Sequence, residues 1–327
     1  MVTKLAENLY TIPVPLPNNP LKNLNTYVLT GSRNLLIDTG FHQEACREAL
    51  EAGLRELGIS MEDTDIFLTH LHSDHTGLAP DIRGKNTKIF IGEYDLSHMP
   101  GSHSTFSWKS SDDRFAAEGF PRELLAVLTE RNPAQGLSPV PYDDYIPVQD
   151  GDHFRYGGHD FQAILTPGHT PGHLCLYEEA TGICILGDSV LFDITPNITR
   201  WAGIKDSLGD YLKTLERLKK LPVTMPLPAH RTSQTDLSGR CDALIAHHQR
   251  RCQEVRGILS GKLPMTAWDV ASHMTWKIRC NSWEDFPTPQ KWFAVGEAMA
   301  HLDHLIALGE VQRTTDGKLY YYELPCH

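Results

Sequence analysis

The sequence predicts an α/β fold followed by a smaller helical domain, on three observations. Short apolar runs of strand length recur through residues 1–235, with helical stretches between them; Glu44 to Leu57, for example, precedes the strand-like Ile66-Phe67-Leu68. Four of these runs lead within a few residues to histidine or aspartate. Over 236–327 the pattern changes to long apolar helical stripes closed by a hairpin. The expected division is therefore one domain over 1–235 and a second over 236–327.

Bulk properties narrow the function. A formal charge of -11 argues against a generic polyanion binder, because neutralising phosphates calls for a basic surface. The stretch Met1 to Leu9 lacks the apolar core of a signal peptide, and no segment is long and apolar enough to span a bilayer, so a cytoplasmic protein without a membrane partner is expected. Seven scattered cysteines without Cys-x-x-Cys spacing fit reduced thiols, with Cys175 and Cys184 in strand-like core runs.

Leu9 to Val14, Thr26 to Leu29 and Asn34 to Asp38 read as strands, the last two joined by a turn at Thr30-Gly31-Ser32-Arg33. Pro15 to Asn25 reads as a loop whose Asn19 to Asn25 portion can touch a ligand at a rim, although connection is the ordinary role of such a loop. The helix from Glu44 stops at Gly58. Ile66-Phe67-Leu68 then runs into Thr69-His70-Leu71-His72-Ser73-Asp74-His75-Thr76-Gly77. His70 and His72 are two apart and point to one side of an extended backbone, while Asp74 and His75 follow a change of direction. Burying so many polar side chains without partners is costly, so metal ligation accounts for them better than core packing. The arrangement suits two adjacent metal ions.

His70-x-His72-x-Asp74-His75 resembles the signature of the metallo-β-lactamase fold hydrolases, and its Thr-His-x-His-x-Asp-His-x-Gly form is similar to the glyoxalase II-like branch. The resemblance implies a four-layer αββα sandwich and three further ligand loops in fixed order. It also places Asp38 beneath the metal centre as a hydrogen-bond acceptor, with a helix N-cap as the other reading of that residue.

Lys88 to Ile91 is a further strand. From Glu93 to about Tyr145 the strand rhythm breaks, and 93–145 reads as an inserted lid-like segment with a helix over Pro121 to Arg131. Its aromatics Tyr94, Phe106, Trp108, Phe115 and Phe120 line either a pocket or a small core of their own. Asp152 to Tyr156 and Phe161 to Leu165 form a hairpin that runs into Thr166-Pro167-Gly168-His169-Thr170-Pro171-Gly172-His173. The resemblance makes His169 the ligand there and His173 a supporting or core residue. Leu174 to Tyr177 and Gly182 to Leu186 follow, ending in Gly187-Asp188-Ser189, where an aspartate can bridge two cations and a helix cap is the alternative. After an amphipathic helix over Leu208 to Leu221, Val223 to Ala229 leads to His230. The ligand order is complete, and the resemblance covers about residues 1–235.

Leu237 to Leu259, Ala267 to Met274 and Gln290 to Leu308 read as helices, and Glu310 to Arg313 with Lys318 to Leu324 as a hairpin. Helices followed by a two-stranded wing look like a winged helix, similar to the C-terminal module of lactamase-like ribonucleases. Ten Lys or Arg against eleven Asp or Glu from Asp236 onward are too balanced for a typical nucleic-acid reader. Packing or a homodimer contact is the favoured role, and nucleic acid the lesser one.

By the resemblance, His70, His72 and His169 hold one divalent ion, Asp74, His75 and His230 the other, and Asp188 is shared. Donors without thiolate suit zinc first and tolerate iron, manganese or nickel. The expected chemistry is hydrolysis by a metal-bridged hydroxide that Asp74 orients, with no serine or cysteine nucleophile. A small acyl ester or thioester is the expected substrate, ahead of lactones and of the phosphodiesters a ribonuclease would cut. Arg200, Trp201 and the aromatics of the insert are candidates for the pocket wall, with surface or core packing the commoner role for any one of them. A mono-iron persulfide dioxygenase, which uses fewer of these ligands, is the rival enzyme. A nucleic-acid scaffold without activity would normally show eroded ligands, and none of the seven is missing.

Overall fold

A computed structural model describes residues 1–325 apart from 103, 131–133, 262, 279 and 281. They form two compact units: Met1–Phe106 with Pro133–Pro196 and Arg217–Arg240, and Ser107–Asn132 with Asn197–Glu216 and Cys241–His327.

In the first unit, β1 (Thr3–Ala6), β2 (Leu9–Pro15), β3 (Asn23–Leu29), β4 (Asn34–Ile37), β5 (Thr64–Leu68), β6 (Ile89–Gly92) and β7 (Tyr145–Val148) lie side by side in chain order. The first four pair antiparallel, and β4 to β7 pair parallel. β8 (His153–Tyr156), β9 (His159–Leu165), β10 (Leu174–Glu178), β11 (Ile183–Gly187) and β12 (Met225–Pro228) form a second sheet, antiparallel except for the parallel β11–β12 pair.

Strand side chains alternate, so each central strand serves two cores. Leu35, Ile37 and Phe67 join Phe161, Leu174, Leu176 and Ile185 in a core shared by both sheets. Leu36, Ile66 and Leu68 point the other way, into a core with Cys46, Leu50 and Leu54 of the helix Glu44–Glu56. Each such leucine contributes about 1.5–3 kcal/mol by leaving water. The expected α/β sandwich is thus present, with β5, β10 and β11 buried throughout because both of their faces are covered.

Register brings the loops together. Ile37 lies opposite Phe67 in the parallel β4–β5 pair, so Asp38 and Thr69 emerge side by side. Gly187 lies opposite Pro228 in the parallel β11–β12 pair, so the turns to Asp188 and His230 are neighbours. Leu165 pairs with Leu174, and the loop between them closes at that same edge.

One expectation is overturned and others are resolved. Asn23 to Asn25 are not loop but the start of β3, paired with Pro13 to Pro15. The helix expected over Pro121 to Arg131 spans Arg122–Glu130, with Arg131 outside the described residues. In the second unit Phe115 stacks on Trp292 with ring centroids 4.8 Å apart, and Phe120 meets Trp268 edge-on at 4.9 Å, so these two aromatics of the insert build a core. Arg200 takes the packing role: its mostly buried guanidinium pairs with Glu118 and Asp303 and donates to the Tyr322 hydroxyl at 2.9 Å. The same unit carries the helices Ala267–His273 and Thr288–Ala307 and the antiparallel hairpin β13 (Gln312–Thr315) and β14 (Tyr320–Glu323). Among the described residues no helix is long and apolar enough to cross a membrane.

Candidate metal centre

The loop after β5 turns because His72 keeps an extended backbone while its carbonyl accepts the amides of His75 and Thr76, both at 3.0 Å. That single helical turn, Ser73–Thr76, carries Asp74 and His75 back towards the strand end. Asp38 stands directly after β4 with φ of 60°, a conformation aspartate tolerates better than most residues. Its Oδ1 accepts the Thr69 amide at 2.8 Å, and its Oδ2 accepts the Thr69 hydroxyl at 2.8 Å and His75 Nδ1 at 2.7 Å. The next long helix begins at Glu44 with Gln43 as its N-cap, so Asp38 caps no helix. It sets the His75 tautomer and leaves Nε2 for the pocket.

His230 is oriented the same way, by Nδ1 donating to the Asn23 carbonyl at 2.8 Å. The Asn25 amide donates to the carbonyls of Pro228 and Arg231, both at 3.1 Å, and the Tyr27 hydroxyl to Pro228 at 2.7 Å. Asn23, Asn25 and Tyr27 are therefore anchors of the His230 loop, a role that sequence reasoning missed and that only the strand register reveals. His173 accepts the Asp188 amide on Nε2 at 3.0 Å and bonds the Thr166 hydroxyl through Nδ1 at 2.8 Å. It holds Asp188 from behind; a Cβ on Gly187 would lie 2.5 Å from that Nε2, so glycine permits the approach.

All seven side chains expected as ligands converge. Donor atoms of His70, His72 and His169 lie within 4.8 Å of one another, as do those of His70, His75 and Asp188, and those of Asp74, His75 and His230. His72 Nδ1 is 3.0 Å from Nε2 of both His70 and His169. Asp188 reaches both ends, with Oδ2 3.5 Å from His169 and Oδ1 3.4 Å from His230 and 3.7 Å from His75. Asp74 Oδ2 lies 3.4 Å from His230.

The electrostatics differ between the two ends. Burial and the neighbouring imidazole of His169 push His72 down to about 3, and burial with the surrounding histidines holds His70 well below its ordinary value, so both offer lone pairs at neutral pH. Burial opposes charge on His75, yet Asp38, Asp74 and Asp188 outweigh it and push the ring up to about 10. Burial also opposes charge on Asp74, but His75 and His230 hold its carboxyl well below the usual range. This end of the pocket attracts positive charge, whether a proton or a cation.

The donors fit divalent metal. Nε2 of His75, Nε2 of His230 and Oδ1 of Asp188 are buried and make no hydrogen bond. Each buried polar atom left unsatisfied costs about 1–3 kcal/mol, so three that meet at one point call for a shared electrophile. Imidazole and carboxylate are the donor chemistry for it.

Comparison with known proteins bears on the same residues. The model of the Metallo-beta-lactamase superfamily matches residues 20–230, and that of the Metallo-beta-lactamase-like C-terminal domain matches residues 252–323. The chain is 24% identical to the probable metallo-hydrolase YqjP of Bacillus subtilis, over 97% of this chain and 98% of that one. It is 28% identical to the atrochrysone carboxyl ACP thioesterase of Emericella nidulans, over 73% of this chain and 62% of that protein. The crystal structure of the metallo-beta-lactamase family protein TTHA1429 from Thermus thermophilus superposes with a TM-score of 0.82 at 31% identity, covering 98% of this chain and all 100% of the other.

Proposed function

The chain belongs to the metallo-beta-lactamase superfamily and is a metallo-hydrolase of it, and from that premise we propose that it hydrolyses a small acyl thioester or ester at a centre for two divalent cations. The donor set carries this reading: seven convergent side chains, three of whose buried donor atoms have no hydrogen bond. His70, His72 and His169 would hold one cation, Asp74, His75 and His230 the other, with Asp188 shared. Divalent cations there supply Lewis acidity, which lowers the pKa of water, to about 7 for zinc, and offsets charge on an acyl oxygen.

The protein's own residues position and orient. Ionised Asp74 accepts hydrogen bonds and donates none, so it orients an attacking water. Asp38 and the Asn23 carbonyl keep His75 and His230 facing the pocket. A thiol, with a pKa of about 8.5, leaves as thiolate without a proton donor, whereas an amine does not. The thioesterase among the relatives points the same way. In this reading the motif belongs to the glyoxalase II-like branch, and the helices and hairpin beyond residue 236 are a winged-helix-like module for packing or self-association.

The test strips the protein with chelator, reloads it with zinc, iron or manganese, and assays thioesters, lactones, phosphodiesters and β-lactams beside elemental analysis. Two cations per chain and thioester or ester turnover that disappears on stripping and returns on reloading are expected. Turnover that survives thorough stripping, or a single redox-active iron with oxygen uptake, overturns the reading.

A further inference from the structure

Asp95 lies in the short turn Glu93–Leu96 that follows β6, in a polar stretch that no motif marks. Its carboxylate is fully buried and accepts three hydrogen bonds from two different loops. Oδ2 accepts the Leu71 amide at 3.0 Å and the Thr170 hydroxyl at 2.6 Å, and Oδ1 accepts the Gly172 amide at 2.7 Å. Leu71 stands between His70 and His72, and Thr170 directly follows His169. One carboxylate therefore ties together the two loops that supply the three imidazoles of one half of the centre.

The close approach of the loops gives independent support. A Cβ on Gly92 would lie 2.0 Å from the Gly172 carbonyl oxygen, and one on Gly172 would lie 2.6 Å from both the amide and Oδ1 of Asp95. The loop before β10 is thus pressed on to the end of β6 at two glycines, and the Leu174 amide reaches the Thr69 carbonyl at 2.8 Å on the far side. Between those fixed points, Asp95 sets how far His169 stands from His70 and His72.

We propose that Asp95 is a positioning residue for the His70, His72 and His169 half of the centre. It determines how tightly that half binds a divalent cation and has little influence on the half formed by Asp74, His75 and His230. The inference rests on the metal-centre reading given under Proposed function.

Asp95→Asn is the sharp test, because an amide has one acceptor oxygen. Whichever way it turns, its NH2 faces the amide of Leu71 or of Gly172, donor against donor, at unchanged volume. Thr170→Val removes one of the three bonds, and Thr170→Ser keeps it. Cation stoichiometry and affinity are measured by competition with a chromophoric chelator, together with the visible absorption of the Co2+-loaded protein and thermal unfolding in chelator. In Asp95→Asn one of the two affinities should weaken by about 10–100-fold, the usual effect of removing an outer hydrogen-bond partner, while the other holds and the Co2+ spectrum of the weakened half changes. Thr170→Val should fall between, and Thr170→Ser should recover most of the loss. Wild-type protein that takes up no cation overturns the metal-centre reading and this inference with it. Wild-type protein with two cations beside an unaltered Asp95→Asn overturns the inference alone. Should Asp95→Asn not fold, equal affinities in the two Thr170 variants overturn it.

Discussion

Replacing Asp188 by alanine separates a metal-building carboxylate from a fold-building one. Its backbone amide is held by His173 at 3.0 Å, a bond that alanine keeps. Its carboxylate has only long approaches to His169, His230 and His75, at 3.5, 3.4 and 3.7 Å, and Oδ1 makes no hydrogen bond. Removing it from the metal-free protein loses some attraction to the neighbouring imidazoles, but it also relieves a buried unsatisfied oxygen that costs about 1–3 kcal/mol. The two effects oppose, and the unfolding temperature in chelator should move by only a few degrees. With cation the outcome differs. At a free concentration about 100 times Kd, one bound cation adds about 2.7 kcal/mol, or about 5–11 °C for a unit of this size. If loss of the shared ligand weakens a site about 100-fold, the same cation concentration adds only about 0.4 kcal/mol, close to 1 °C. Thermal unfolding of wild type and Asp188→Ala, each in chelator and in zinc, reads these four values directly. A variant that keeps the wild-type zinc shift and two cations per chain would refute the shared-ligand reasoning. A variant that unfolds in chelator far below wild type would show Asp188 to be structural.

Asp38→Asn should keep the fold, since asparagine also tolerates φ of 60°, but its NH2 must face His75 Nδ1 and drive the ring proton to Nε2, where it points into the pocket. Cation affinity of the Asp74, His75 and His230 half is expected to drop by about 10–100-fold with the circular dichroism spectrum unchanged, and wild-type affinity would exclude the tautomer role. Gly92→Ala places a methyl 2.0 Å from the Gly172 carbonyl oxygen, and urea unfolding should register about 1–3 kcal/mol of lost stability. His301, in the second unit, is fully buried, with Nδ1 donating to the Glu297 carbonyl at 2.7 Å, and burial pushes it from 6.5 down to about 4. Because the folded value lies below the unfolded one, the unfolded chain takes up the proton first as pH falls. The stability His301 contributes as a neutral ring is present above pH 6.5 and lost towards pH 4, by up to about 3 kcal/mol. His301→Gln should flatten the acid limb of the urea-midpoint profile, and an identical limb in both proteins would remove His301 from the account.

The parts of this fold that could be read from the chain are those whose causes are local. Apolar runs that end in His70, Asp188 and His230 are local, and so is the two-residue spacing of His70 and His72; each survives into the structure as a strand followed by a turn. β1 and β7 carry no strand signal in the sequence, for equally local reasons. Thr3–Ala6 is short, polar and half-exposed, and Tyr145–Val148 contains Pro147, which is tolerated because β7 is an edge strand whose outer side needs no amide. The helix Trp108–Ala117 shows no helical stripe in the sequence, because its only large buried apolar side chain is Phe115. What no local pattern carries is the spacing between ligand loops. Asp95 reaches 24 residues back to Leu71 and 77 forward to Gly172, and Asn23 reaches 207 forward to His230. The place of Arg200 is likewise fixed from afar, by Glu118 and Asp303, 82 and 103 residues away. A ligand needs only the right side chain at the end of a strand, and that is written within a few neighbouring positions. The distance between two ligands is set by hydrogen bonds from residues far away in sequence, here a buried carboxylate and a strand carbonyl. Substitutions at those supporting residues should therefore alter cation affinity while leaving every ligand in place, an outcome that a list of ligands alone would not anticipate.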